Sequence, residues 1–153
     1  MIYLLAPRPP RANLPVIFNI GGTVGASGAN DSEDVMYVKW LLKTYAIASP
    51  AMPAAPRDKM LNLTVDGNCC TRTRESIVDY QRMRGEPHST FNPEGKVSPA
   101  STTVSNWESS TQTLISLTYV ARNLYKDKWP MLVQMANCSP QLAAAARRSI
   151  VGP

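Results

Sequence analysis

The sequence has few of the side chains from which metal centres and nucleophilic active sites are built. It contains one histidine, His88, and three cysteines among 153 residues. Zinc sites need three or four cysteine, histidine or carboxylate ligands, so we expect no metal site. No G-x-S-x-G element accompanies His88, which argues against a serine hydrolase. We therefore expect no metal, no cofactor and no catalytic residue of these classes.

The three cysteines are too few and too oddly placed for a disulfide framework. Cys69 and Cys70 are adjacent, and neighbouring Cα atoms lie too close for relaxed disulfide geometry. A bond from either residue to Cys138 remains open. The favoured interpretation is that all three are small, buried or half-buried side chains.

Long hydrophobic runs are also absent. No segment has the length needed to cross a bilayer, so we expect no membrane insertion. The apolar start, Met1 to Ala6, is too short for a signal peptide and follows no basic region. We expect synthesis in the cytoplasm, followed either by delivery to the periplasm and cell wall through another route or by assembly into a particle.

The net charge is +5, from 16 basic and 11 acidic residues, which suits anionic partners. There is no run of lysines and arginines. The arginines between residues 72 and 84 spread over more than one helix face and have no accompanying aromatic ladder. We therefore do not expect nucleic-acid binding.

Prolines and helical periodicity divide the chain. Seven of the thirteen prolines lie before residue 16 or between residues 50 and 56. We predict a Pro/Arg-rich arm over 1–15, a helical domain over 16–128 and a C-terminal helical extension over 129–153. Apolar spacing and capping residues predict helices over 32–47, 71–84, 110–127 and 139–150.

Between these helices the sequence predicts shorter elements. Residues 16–20 form an apolar run that suits a strand, and the glycine-rich residues 21–28 suit a flexible turn rather than a phosphate loop. Pro50, Pro53 and Pro56 predict an irregular surface insertion over 48–60.

A motif extends from residue 30 to residue 103. It comprises Asn30-Asp31-Ser32-Glu33-Asp34-Val35, then Val65-Asp66-Gly67, then Tyr80-Gln81 at the end of a helix, and finally Glu94-Gly95-Lys96-Val97-Ser98-Pro99. This pattern resembles the peptidoglycan-binding-domain-like family of small helical modules. One departure is Asn68-Cys69-Cys70, where the family usually has an aromatic-Gly-Pro step.

The resemblance implies a mainly α fold: a three-helix peptidoglycan-binding-like bundle with a Pro-rich N-terminal arm and extra C-terminal helices. It also implies non-catalytic binding of bacterial cell-wall peptidoglycan, as a targeting module of a phage or contractile secretion system. The structural turns would be formed by Asp66, Gly67, Glu94 and Gly95.

Binding a glycan–peptide polymer needs an aromatic face for a sugar ring and polar groups for the peptide. The candidate ligand-binding residues are Trp40, Asn68, Tyr80, Gln81 and Trp107. For Trp40 and Tyr80 a place in the hydrophobic core is the competing interpretation.

Two other functions remain open. The chain could be a structural or adaptor protein of a phage tail or secretion particle that contacts another protein through its N-terminal arm or C-terminal helices; exposed apolar residues there would favour it. A small peptidoglycan hydrolase would need two carboxylates facing one cleft, about 5 to 9 Å apart. Helix starts and turns account for most of the carboxylates, so we do not expect an enzyme.

Overall fold

The computed structural model describes residues 1–5, 17–85, 94–100 and 109–151. Within these ranges the fold is mainly helical, with two small antiparallel sheets beside five α-helices. The helices are α1 (Ser32–Ala48), α2 (Ala54–Leu61), α3 (Thr71–Gly85), α4 (Ser109–Leu124) and α5 (Pro140–Val151). The strands are β1 (Tyr3–Leu5), β2 (Ile17–Asn19), β3 (Val24–Gly25) and β4 (Lys96–Val97), and a 3-10 turn spans Leu132–Gln134.

Helix α1 lies at the centre of the fold. The Asp31 carboxylate caps it by accepting the backbone N–H of Glu33 at 3.2 Å; the sequence offers both Asp31 and Ser32 for this position. All four other helices pack against α1 or against its neighbours. The sequence predicts a single apolar stripe on α1, but the structure buries the helix on nearly every side, including the side chain of Lys39.

Because α1 is buried, its charged side chains need partners inside the fold. The Asp34 carboxylate accepts the backbone N–H groups of Gly21 at 3.2 Å and Gly22 at 3.0 Å, and it also forms an ion pair with the Met1 ammonium. The glycine-rich segment, predicted as a flexible turn, is therefore bound to the start of α1, and its residues 24–25 form β3.

Two further side chains of α1 bind backbone carbonyls of distant loops. The Trp40 indole donates to the carbonyl of Ala136 at 3.0 Å, and Lys43 donates to the carbonyl of Leu63 at 3.0 Å. The central helix thus holds the connection after α2 and the segment before α5.

Helix α2 occupies part of the segment predicted to be irregular, so that prediction is wrong for residues 54–60. Pro53 occupies the N-cap position, and Pro56 is the third residue of the helix. The first-turn N–H groups of a helix have no intrahelical partner, so proline is tolerated there.

The predicted strand at residues 16–20 is confirmed as β2. It pairs antiparallel with β1, with Leu4 opposite Phe18, and the Phe18 ring is fully buried. Strand β3 pairs with β4, with Val24 opposite Val97.

The buried side chain of Asn19 links β2 to the segment that contains β4. Its amide nitrogen donates to the carbonyl of Ala100 at 3.0 Å, and its oxygen accepts the N–H of the same residue at 2.7 Å. Both backbone groups of Ala100 are therefore satisfied by one side chain, as a neighbouring strand would satisfy them.

Helix α5 begins as the sequence predicts. Pro140 is its first residue, and the hydroxyl of Ser139 accepts the N–H of Leu142 at 3.2 Å. Leu142, Ala145 and Ala146 are buried. The helix packs on α1 and β1.

The turn between α2 and α3 approaches the start of α1 very closely. A Cβ atom at Gly67 would lie 2.0 Å from Oγ and 3.1 Å from Cα of Ser32. Gly67 is not one of the described glycines with positive φ, which are Gly25 and Gly95. Glycine is needed at residue 67 because the turn lies too close to Ser32 to leave room for a side chain.

We predict that Gly67→Ala lowers the free energy of unfolding by about 1–3 kcal/mol, because the added methyl group must displace the backbone of α1. Gly22→Ala is the matched control, since its Cβ would meet Ala29 at an ordinary 3.5 Å. We expect it to change stability by less than about 0.5 kcal/mol. Urea unfolding measures both, and equal effects would contradict the packing argument.

Candidate functional site

Three of the five candidate ligand-binding residues lie in the protein interior. Trp40, Tyr80 and Gln81 each expose 0% of their surface. Trp40 stacks beside Tyr37, and the hydroxyl of Tyr80 forms a hydrogen bond with that of Ser116 at 2.5 Å. Burial raises the pKa of Tyr80 to about 12. None of these side chains is accessible to a polymer. Trp40 and Tyr80 belong to the hydrophobic core, which was the competing interpretation of their sequence positions.

The two remaining candidates have different outcomes. Asn68 is exposed in the turn before α3, where its N–H donates to the Asp66 carboxylate at 3.0 Å. Trp107 lies outside the described residues, as do residues 6–15 of the predicted arm. The four candidates that the structure describes therefore do not form an aromatic groove.

The buried Gln81 amide organises the second motif turn. Its oxygen accepts the N–H of Gly95 at 2.8 Å, and its nitrogen donates to the carbonyl of Lys96 at 2.8 Å and to the hydroxyl of Thr113 at 3.1 Å. Gly95 has a φ of 75°, a conformation that glycine adopts without strain. Gln81 therefore fixes the position of Glu94 and Gly95 beside α3.

The first motif turn is organised by a lysine of α1. The Lys39 ammonium, whose side chain is 3% exposed, donates to the Asp66 carboxylate at 2.6 Å and to the carbonyl of Asn68 at 2.9 Å. The hydrogen bond from Lys39 lowers the pKa of Asp66. Asp66 also accepts the N–H of Asn68, which is the predicted aspartate turn.

A cleft of about 520 Å³ lies along α3, and Glu94 and Gly95 of the second motif turn contribute to its lining. Its lining is rich in charge of both signs, and none of the described residues that line it is aromatic. The charged residues are Lys59, Arg74, Arg82, Glu75, Asp79 and Glu94, and the remaining surface is formed by Ala26, Thr71, Val78 and Gly95. We consider this cleft the candidate functional site.

Lys59 of α2 forms ion pairs with two carboxylates on the acidic side of the cleft. Its ammonium lies 3.0 Å from Oε2 of Glu75 and 3.1 Å from Oδ2 of Asp79. The hydrogen bonds that Lys59 donates to Glu75 and Asp79 raise the pKa of Lys59, so the lysine stays charged. The two carboxylates are spaced one turn apart on α3, and both are neutralised from the opposite helix.

The basic side of the cleft consists of two exposed arginines of α3. Arg74 donates to the carbonyl of Cys69 at 3.2 Å and to the hydroxyl of Thr71 at 3.4 Å. Within the described ranges, neither Arg74 nor Arg82 forms an ion pair with a carboxylate. Their guanidinium groups keep donors directed to solvent at the cleft.

All three cysteines are unpaired and half-buried. The hydroxyl of Thr73, 3.4 Å away, lowers the pKa of Cys70 at the start of α3, whereas burial raises the pKa of Cys138 to about 11. The sequence favours small, buried or half-buried cysteine side chains, and the intermediate exposure of all three cysteines agrees with that interpretation.

Sequence reasoning missed most of this cleft. Lys59 belongs to a segment predicted to be irregular, and Glu75 was explained as a residue of the first helical turn. Arg74 and Arg82 were noted only as arginines on more than one face. The spacing of residues 74, 78 and 82 could have indicated this face of α3, because residues four positions apart lie on the same side of a helix.

Comparisons of the chain with protein-family models, curated proteins and solved structures give no match. Among the residues that the structure describes, no helix is long and apolar enough to cross a bilayer. The same part of the chain contains no cluster of three or more potential metal-ligating side chains.

We predict that Asp66→Ala destabilises the protein more than Lys39→Met. The first substitution leaves a buried ammonium with only the Asn68 carbonyl, whereas the second leaves a half-exposed carboxylate that water can solvate. We expect losses of about 2 kcal/mol and at most about 1 kcal/mol, measured by urea unfolding at pH 7.

The same pair gives a pH dependence. Because the pKa of Asp66 is lowered in the folded state, its stabilisation is complete above the ordinary aspartate pKa of about 3.9 and is lost as the pH falls through the lower folded value. The stability difference between the wild type and Lys39→Met should therefore shrink below about pH 4. A constant difference from pH 7 to pH 2 would contradict this assignment.

We predict that Gln81→Leu lowers stability by about 2–4 kcal/mol, because it leaves buried groups of Gly95 and Lys96 without partners. Gln141→Leu is the control, since Gln141 is exposed on α5. Hydrogen exchange at the amide of Gly95 should become faster in Gln81→Leu alone. Unchanged protection of that amide would show that Gln81 does not hold the turn.

Proposed function

We propose that this protein is a non-catalytic module that binds bacterial cell-wall peptidoglycan through the cleft along α3. In the motif that resembles peptidoglycan-binding-domain-like proteins, Asp66–Gly67 precedes this helix in the chain and Glu94–Gly95 follows it. The observation that carries the proposal is the open, mixed-charge cleft along α3, whose lining includes Glu94 and Gly95.

The charge pattern of the cleft suits this polymer. Peptide stems of peptidoglycan carry carboxylates together with amino or amide groups, so they present both signs of charge within a few residues. Arg74 and Arg82 can bind carboxylates, and Glu94 can accept hydrogen bonds from an ammonium or amide group. A binding surface of this kind selects among ligands through matched polar contacts more than through the surface area that it buries.

The arrangement of Lys59 supports binding rather than hydrolysis. Glu75 and Asp79 each lie about 3 Å from the same ammonium group, so their carboxylates are separated by no more than about 6 Å. That spacing alone would suit a glycosidase. A glycosidase also needs one protonated carboxyl group as general acid, and two carboxylates paired with a charged lysine do not provide it.

In this proposal the module belongs to a phage or contractile secretion system, which would deliver it to the wall. The basic net charge of +5 favours approach to an anionic wall. The specific contacts in the cleft would then determine where the protein stays bound.

An adaptor function is the second candidate, and one observation favours it. Met1, Tyr3 and Ile150 are 58%, 39% and 37% exposed. They lie next to the hydrogen bond between Ser149 and the carbonyl of Ile2, which joins α5 to β1. An apolar surface of this kind at the arm and the C-terminal helix is what a protein-contacting adaptor would present.

Sedimentation with purified peptidoglycan sacculi tests the leading proposal. We expect the protein to pellet at both 50 mM and about 500 mM NaCl, without release of soluble fragments, because salt screens long-range attraction more than close paired contacts. Pelleting that disappears at high salt would reduce the interaction to charge attraction. Absence of pelleting at both salt concentrations would contradict wall binding and leave the adaptor function.

A further inference from the structure

We propose that the cleft recognises the peptide stem of peptidoglycan, through two carboxylates of the stem, and does not bind the glycan strand. This inference rests on the proposed function, because it assigns the part of the polymer that the same cleft would contact. Its evidence is the composition of the cleft and the spacing of its two arginines.

The first argument is that the described residues lining the cleft are charged, polar or aliphatic, and none of them is aromatic. Sugar rings in protein sites typically lie against aromatic faces, which offer an apolar surface with edges free for hydrogen bonds. Trp40 and Tyr80, the aromatic candidates in the described part of the motif, are fully buried. The cleft instead offers guanidinium, carboxylate and hydroxyl groups, which match the peptide portion of the polymer.

The second argument is the distance between the two arginines. Arg74 and Arg82 are eight residues apart in α3, which corresponds to about 12 Å along the helix axis at 1.5 Å per residue. An extended peptide advances about 3.3–3.6 Å per residue, so three to four residues of a stem span this distance. Two stem carboxylates separated by that length can each meet one guanidinium group.

The third argument is the charge balance of the opposite side. Glu75 and Asp79 would repel an anionic stem, but Lys59 contacts both of them and neutralises much of their charge. Val78, between the arginines on the helix, provides an apolar floor, and Glu94 remains available at the rim. The cleft therefore favours a ligand with carboxylates along α3 and an amino group towards the Glu94 turn.

Binding to chemically defined forms of the polymer tests this assignment. The probes are intact sacculi, sacculi stripped of their stems by an N-acetylmuramoyl-L-alanine amidase, the soluble tripeptide L-Ala-γ-D-Glu-meso-diaminopimelate, and chitotetraose. We expect binding to intact sacculi, loss of binding to stripped glycan, and displacement by the tripeptide but not by chitotetraose.

Variants of the full chain connect this specificity to the cleft. We expect Arg74→Gln and Arg82→Gln each to weaken binding to sacculi by about 10-fold, the order expected when a charge-assisted hydrogen bond is removed. Arg147→Gln is the matched control, because Arg147 is an equally exposed arginine of α5 and makes the same change in net charge. Binding by the control should stay within about twofold of the wild type.

The outcomes separate the inference from the proposed function. Retention on stripped glycan, with displacement by chitotetraose, would overturn stem recognition and leave wall binding intact. Stem-specific binding that is unaffected by both arginine variants would overturn the assignment to this cleft. Failure of the wild type to bind intact sacculi would overturn the proposed function and the inference with it.

Discussion

The structure depends on one constraint: helix α1 is buried, yet it carries several polar side chains. Asp34, Lys39 and Trp40 each have a charged or hydrogen-bonding group in or beside the core. Since an unpaired polar group in such a place costs several kcal/mol, each must be matched by a partner from elsewhere in the chain. The partners are backbone groups and one carboxylate of three different loops, so one helix determines where those loops lie.

Two buried side-chain amides fix the position of segment 94–100 in the same way, by binding its backbone groups. Gln81 binds its beginning and Asn19 binds its end, each through both the oxygen and the nitrogen of the amide. The segment has little regular pairing of its own beyond the short strand β4. The cleft is consequently lined by α2, by α3 and by the Glu94–Gly95 turn, whose position is set from the interior by Gln81. A ligand would meet a preformed surface and would spend little free energy on ordering it.

The local elements were predictable from the sequence where one residue has one dominant role. Asp31 as a helix cap, Ser139-Pro140 as a helix start and Asp66 as a turn residue all act through short-range hydrogen bonds or backbone geometry. The spans of α1, α3 and α5 follow from the same signals. Helix α2 was missed because proline was interpreted as a breaker, although a proline in the first turn removes no helical hydrogen bond.

The site was much less predictable, because its residues act across elements. Lys39 appears to be a solvent-facing lysine until the turn at Asp66 is known to lie against it. Trp40, Tyr80 and Gln81 are residue types that bind carbohydrate and peptide ligands, yet here they fill the interior. Only the packing of α2 against α3 brings Lys59 between Glu75 and Asp79. Sequence separation conceals such contacts, and the absence of similar proteins in the comparisons leaves no covariation from which to infer them.

The contact between β1 and α5 has a consequence for how the protein folds. Ser149 binds the carbonyl of Ile2, and Arg148 binds Glu33, so segments almost a full chain length apart lie side by side. Contacts of such large sequence separation are costly in entropy and form late. During synthesis, the apolar faces that α1 and β1 present to α5 stay uncovered until residues 140–151 have left the ribosome. A nascent chain that stalls before that point would therefore expose the surface that chaperones and proteases recognise.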